Sequence, residues 1–212
     1  MEEEEIIMPG TLDQLIKQTN KKFKSEIVNN GSHYAETPRI PFSSPRLNYM
    51  LYGGLPVGRI IEYAGGEGSG KTTTALDTVK NAQKLFPDRK VMYIDCENTI
   101  DIEWAKLLGV NVDELILMQP ETETAEQIFD VALDFIDTGE ISLIVIDSLG
   151  VMVSAQQYAK TMEEKTYGGI SMALTLFSRK AIPLLARNKC TLIGINQMRE
   201  DMNSQWGGQI TP

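Results

Sequence analysis

Residues Gly65-Gly66-Glu67-Gly68-Ser69-Gly70-Lys71-Thr72 place two glycines around four residues, followed at once by Lys-Thr. That spacing suits anion capture. Glycines let successive backbone N–H groups curl around a phosphate, and a helix opening just after them offers its positive N-terminus. Lys71 is long enough to reach the β- and γ-phosphates of a nucleoside triphosphate, while the Thr72 hydroxyl ligates Mg²⁺, with Thr73 beside it. The expected cofactors are ATP and Mg²⁺.

The chemistry also needs carboxylates. Asp147 follows the aliphatic run Leu143-Ile144-Val145-Ile146 and is placed to hold the metal. Its other reading is a helix cap shared with Ser148. Hydrolysis further requires a base that orients water. Glu97, in Asp95-Cys96-Glu97 after another apolar run, is the candidate base; a plain surface carboxylate is the alternative. In open parallel sheets ligands gather at the C-terminal ends of strands, where both acids fall.

The elements that must position these groups can be read from periodicity. Strands are expected at Ile60–Ala64, Lys90–Asp95, Leu115–Met118, Ile141–Ile146 and Thr191–Ile195. Helices are expected over Lys71–Leu85, near 101–108, over Thr124–Ile136, and over Gly169–Arg187 with a kink at Pro183. Strand–helix alternation of this kind predicts an α/β fold, a mostly parallel sheet with helices on both faces. Upstream, Leu12, Leu15, Ile16, Thr19 and Phe23 recur at helical spacing after Thr11, a fitting N-cap. Residues 29–58 are rich in Gly, Pro, Ser and Asn and read as turns around a short helix near Leu47–Leu51.

Composition sets outer bounds. A chain of 212 residues with 42% hydrophobic and 23% charged residues can build a core. No run approaches the roughly 18–20 apolar residues of a membrane span, and the acidic start Met1-Glu2-Glu3-Glu4-Glu5 lacks a signal-peptide pattern. These features predict a soluble cytoplasmic protein without a membrane partner. The net charge of −9 argues against a surface that binds nucleic acid everywhere, not against a local basic channel. Cys96 and Cys190 read as buried thiols in a reducing compartment, and His33 as a surface residue.

Several motifs then fall in one order. Gly54-Leu55-Pro56-Val57-Gly58-Arg59-Ile60 leads into the phosphate loop, and Ile94-Asp95-Cys96-Glu97 precedes Asp101, Trp104 and Leu107-Leu108-Gly109-Val110. Gln119-Pro120, Val145-Ile146-Asp147-Ser148 and Ile195-Asn196-Gln197-Met198-Arg199 follow. This set resembles the RecA family of recombinases from about Thr11 to Pro212. The resemblance implies a RecA-like P-loop core over residues 36–212, preceded by an acidic tail, an oligomerisation helix and a linker over 1–35. It implies DNA-stimulated ATP hydrolysis, filament assembly on single-stranded DNA and pairing with a homologous duplex, in recombination, repair and the SOS response. Glu97 would activate water, Asp101 and Trp104 would contact adenine, and Gln197 would sense the γ-phosphate. Two loops would line the DNA, one with Lys165, Gly168 and Gly169, the other with Arg199, Trp206, Gly207 and Gly208.

Departures from the pattern point to a divergent, phage-type member. The first loop also holds Glu163-Glu164, Glu200-Asp201 follows Arg199, and Ala173 stands where bacterial members place an arginine. Arg179 and Lys180 are basic residues that either face the channel or line a solvated helix face. The resemblance also implies further strands, residues reaching a neighbour's nucleotide and another domain after Pro212, so a truncated or split product is expected. Two alternatives stay open: a ring-forming RecA-fold motor of helicase type, and a nucleotide-binding fragment without turnover.

Overall fold

The computed structural model describes residues 11–29, 36–159, 169–200 and 210–211. Two compact units divide the chain at Thr37 and Pro38. In the first, α1 (Leu12–Phe23) starts at a capping box in which the Gln14 side chain accepts the Thr11 N–H at 3.1 Å. Asn20 exchanges hydrogen bonds with the N–H and C=O of Val28, at 2.9 and 2.8 Å, so the chain beyond the helix turns back on it. No residue of α1 is buried, and Leu12, Leu15 and Phe23 stay exposed. His33 lies outside the described residues.

The second unit begins with β1 (Arg39–Ile40), α2 (Pro45–Met50) and β2 (Leu55–Pro56), the two short strands pairing antiparallel. Strand β3 (Ile60–Gly65) runs into α3 (Lys71–Leu85), then β4 (Lys90–Asp95), α4 (Ile102–Leu108) and β5 (Leu115–Met118). Next come α5 (Ala125–Asp137), β6 (Ile141–Asp147), the one-turn α6 (Ala155–Tyr158), α7 (Gly169–Asn188) and β7 (Thr191–Gln197). The order β3-β7-β6-β4-β5 makes a five-stranded, wholly parallel sheet, the expected α/β architecture.

Alternation along each strand divides the core in two. Val91, Tyr93, Leu143, Val145, Ile193 and Ile195 point to the face covered by Ala75, Leu76, Val79 and Ala82 of α3. Met92, Ile94, Ile144, Ile146 and Leu192 point the other way, toward Ile128 and Phe129 of α5 and Phe177, Ala181 and Leu185 of α7. Phe129 and Phe177 stack with centroids 4.4 Å apart, joining the two helices. All of β6 is buried, which explains its unbroken apolar run. Gly194 leaves room where the turn after β6 crosses β7, since a Cβ there would meet Leu149 Cδ1 at 2.7 Å and displace that side chain.

The structure corrects some sequence expectations. Helix α7 does have the length and mean hydropathy, 1.2, at which a helix can cross a bilayer, although its inner face packs on the sheet. Strand β7 runs on to Gln197 and β6 to Asp147, so both functional candidates are strand residues. Cys190 is buried, but Cys96 only half so. The first proposed DNA loop, expected over roughly residues 158–169, is flanked by α6, which ends at Tyr158, and by Gly169 opening α7, and residues 160–168 lie outside the described residues.

Candidate functional site

The phosphate loop joins β3 to α3 without any side-chain cap, because Gly70 sits at the N-cap with φ 87°. Gly68 also has positive φ, at 68°, a conformation that favours glycine. A Cβ built on Gly66, Gly68 or Gly70 would meet nothing within 4 Å, so no neighbouring group crowds the loop at these positions. Gly65 differs: a Cβ there would approach Ser69 Oγ at 2.7 Å, and the loop closes on itself at that point. Glu67 occupies the exposed crest. Lys71 Nζ donates to Gly65 O at 3.0 Å and Gly66 O at 2.8 Å, lying across the loop with one of its three protons uncommitted.

The sheet brings the carboxylates to this loop. Asp95 and Asp147 are register partners at the ends of β4 and β6, and both are buried. Thr72 Oγ1 donates to Asp147 Oδ2 at 2.8 Å, so its oxygen lone pairs remain for a cation. Tyr93, opposite Val145 and on the same face of the sheet, reaches diagonally and donates its hydroxyl to the same oxygen at 2.7 Å. Burial pushes the Asp147 pKa up. The hydrogen bonds from Tyr93 and Thr72 offset part of that, and the charges of Glu97 and Asp95 add to it. Burial and Asp147 together hold the Tyr93 phenol protonated.

This donor set fits a hard divalent cation. A hydroxyl oxygen and one carboxylate suit Mg²⁺, which keeps waters and takes its remaining ligands from phosphates. Among the described residues no group of three or more His, Cys, Asp or Glu forms a self-sufficient metal cage. Thr72 and Asp147 are therefore the metal candidates, with room for other ligands to complete the shell.

Glu97 lies past β4 and is half-buried. Its Oε1 accepts from Ser148 Oγ at 2.5 Å and from Gln197 Nε2 at 3.4 Å, which leaves Oε2 for a water. Asp95 builds the turn that carries it, accepting from Thr99 N, Ile100 N and Gln119 Nε2 at 3.2, 3.0 and 3.2 Å. Gln197 ends β7 beside Gly65 of β3, and the next N–H, of Met198, donates to Gly65 O at 3.2 Å. The Gly65 carbonyl thus contacts both Lys71 and the segment leaving Gln197.

Asp101 and Trp104 are adjacent, but the first task of Asp101 is structural. Its Oδ1 accepts the Trp104 N–H at 3.0 Å and caps α4, while the indole is 44% exposed. The Cys96 thiol is pushed up to about 12 by burial and by the charges of Asp95, Asp147 and Glu97, so it is no nucleophile.

Of the proposed DNA contacts, Lys165, Gly168, Trp206, Gly207 and Gly208 lie outside the described residues. Arg199 opens β8 (Arg199–Glu200), which pairs antiparallel with β9 (Ile210–Thr211), so a strand pair brackets the second loop. Arg179 and Lys180 are exposed on α7. Sequence reasoning missed Tyr93 and Ser148 as partners of the acids. The register of β4 against β6 reveals the first, and only the folded turn reveals the second.

The geometry agrees with what the chain is similar to. A profile of the RecA N-terminal domain matches residues 10–211. The RecA protein of Ureaplasma parvum serovar 3 is 41% identical over 154 residues, covering 73% of this chain and 45% of that protein. RecA of Oceanobacillus iheyensis is 36% identical over 205 residues, covering 94% and 57%, and RecA of Listeria monocytogenes 36% over 207, covering 96% and 58%. The chain thus spans about half the length of these curated relatives. The crystal structure of the RadB recombinase superposes with a TM-score of 0.59 at 23% identity, covering 79% of this chain and 74% of the other, a likeness of fold. A match from residue 10 to residue 211 runs through every strand that delivers the loop and its facing acids, and on it the chain belongs to the RecA family.

Proposed function

We propose that this chain is the ATP-hydrolysing core of a recombinase that binds single-stranded DNA, assembles into filaments and pairs the bound strand with a homologous duplex. The observation that carries the reading is the convergence of three features at one end of the sheet: the glycine-rich loop opening α3 with Lys71 across it, the Thr72–Asp147 pair and the Glu97–Gln197 pair. Gly65 to Thr73 cradle the phosphates through backbone N–H groups, with Lys71 supplying positive charge. Mg²⁺, when bound, neutralises charge developing on the β- and γ-phosphates. Thr72 and Asp147 hold it. Glu97, fixed through Oε1, orients water with Oε2.

Gln197 completes the circuit. Its amide touches the base, and the next residue is tied to the phosphate loop through Gly65 O. A change at the γ-phosphate would pull on Gln197 and so on the β8–β9 segment, where Arg199, Trp206, Gly207 and Gly208 contact DNA. Lys165, Gly168 and Gly169 supply the other DNA contact. The exposed Trp104 face stacks on adenine beside Asp101. The uncovered apolar stripe of α1 serves self-association, and the protein acts in the cytoplasm.

The test is the ATPase rate with and without single-stranded DNA, beside Lys71→Ala. Stimulation by DNA is expected, together with loss of nucleotide binding of at least about tenfold in the variant. Tight ATP binding without turnover in either condition would leave a nucleotide-binding fragment instead. Rings rather than filaments in electron micrographs would favour the helicase-type motor.

A further inference from the structure

Tyr93 is buried with 0% exposure among Val91, Val145, Ala75 and Ile195, where a phenylalanine would fill the same space. A hydroxyl there is costly unless it is bonded. Its protein partner is Asp147 Oδ2 at 2.7 Å, the oxygen that Thr72 also uses. Both donors therefore fall on one carboxylate oxygen, and among the described residues no donor reaches Oδ1.

We propose that Tyr93 is a positioning residue of the divalent-cation site. It fixes the Asp147 carboxylate from inside the sheet so that Oδ1 is presented to the metal shell. It also shares Oδ2 with Thr72, which sets the hydroxyl of that residue with its lone pairs outward. The inference rests on the reading of Thr72 and Asp147 as the Mg²⁺ residues. A side chain shorter than tyrosine could not do this, because the carboxylate lies two residues further along the neighbouring strand than the partner of Tyr93, Val145. The arrangement is the buried counterpart of the carboxylate and amide groups that commonly orient metal ligands from behind.

Tyr93→Phe removes the hydroxyl and keeps the ring, so packing is preserved. Binding of a fluorescent ATP analogue is measured in EDTA and across a Mg²⁺ titration, with a thermal melt of each protein. The expected result is a Mg²⁺ half-saturation raised by about 10–100-fold, with affinity in EDTA unchanged and the melting temperature lowered by a few degrees at most, the cost of one buried hydrogen bond. An unaltered half-saturation overturns the proposal. An equal loss of affinity in EDTA and in Mg²⁺ reveals a packing role only and overturns it as well. Wild-type binding that ignores Mg²⁺ altogether sinks the metal reading itself, and the positioning role with it. Tyr93→Leu, which loses both hydroxyl and packing, should melt lower yet match the Phe variant in its Mg²⁺ dependence.

Discussion

The two ends of the parallel sheet bury polar groups in opposite ways. At the end where strands begin, Arg89 donates to Lys189 O at 3.0 Å, Asn188 O at 2.8 Å and Ile141 O, with its guanidinium 5.9 Å from the Phe86 ring. Asn188 adds a bond to Ile136 O at 2.8 Å. One cation and several carbonyls thereby join the last turn of α7, the start of β6 and the end of α5. Of the guanidinium, only Nε is buried without a partner. At the end where strands finish, three carboxylates, Asp95, Glu97 and Asp147, converge. Among the described residues no lysine or arginine pairs with any of them. The first end is closed by hydrogen bonds to neutral carbonyls and serves stability. The second holds like charges with no cationic partner among the described residues, which suits the proposed cation and nucleotide site.

Substitutions at the open end should therefore change chemistry, and those at the closed end should change stability. The largest effect is expected from Glu97→Gln. It keeps the shape and can still bond Ser148 and Gln197, so ATP affinity should stay within a few-fold. Turnover should fall by about 10²–10⁴-fold, the ordinary contribution of a general base. Single-turnover hydrolysis beside equilibrium binding separates the two. A variant with near-normal turnover would remove Glu97 from catalysis.

The reciprocal test is Arg89→Ala. It strands three carbonyls at two element ends, the end of α7 and the start of β6, and should cost about 2–3 kcal/mol in denaturant unfolding, while nucleotide affinity per folded molecule holds. A change in affinity without a change in stability would erase the contrast between the ends.

How far these ends were legible in the sequence differs in the same way. The acids could be found because each follows an apolar run with strand character, and a polar residue ending a buried strand stands out locally. The loop could be found because its glycines, Lys71 and Thr72 lie in one continuous stretch. Arg89 could not, since its partners at 141, 188 and 189 are far away in the chain and are backbone carbonyls, which carry no sequence signal. Tyr93 read only as one more strand residue. Its role depends on a diagonal contact fixed by the pairing of β4 with β6. Strands β1, β2, β8 and β9 escaped notice because two residues show no alternation. Asp101 was read for adenine, while the fold gives it a capping bond that its position before α4 already suggested.

A smaller effect separates holding a base from being one. Ser148→Ala deletes the 2.5 Å bond to Glu97 Oε1 and leaves the bond from Gln197 at 3.4 Å. Glu97 then gains freedom without losing charge, and kcat should fall roughly tenfold with little change in KM. Loss equal to that of Glu97→Gln would mean that Ser148 takes part in the chemistry itself.

The smallest effect probes the open end without any nucleotide. Burial raises the Asp147 pKa, so the folded protein takes up this proton before the unfolded chain does. The group's contribution to stability is therefore fully present below the ordinary carboxylate pKa and is lost as pH rises through the raised, folded-state value. At neutral pH the ionised Asp147 works against the fold. Asp147→Asn, which can still accept from Tyr93 and Thr72, should raise the metal-free melting temperature at pH 7 by roughly 2–4 °C. The difference between variant and wild type should shrink as pH falls toward the carboxylate range. With Mg²⁺ and ATP the order should reverse, because only wild type gains the stabilisation of a bound metal complex. A variant less stable at pH 7 without metal would show that the carboxylate is already compensated within the chain, and the two ends of the sheet would then differ less than their geometry indicates.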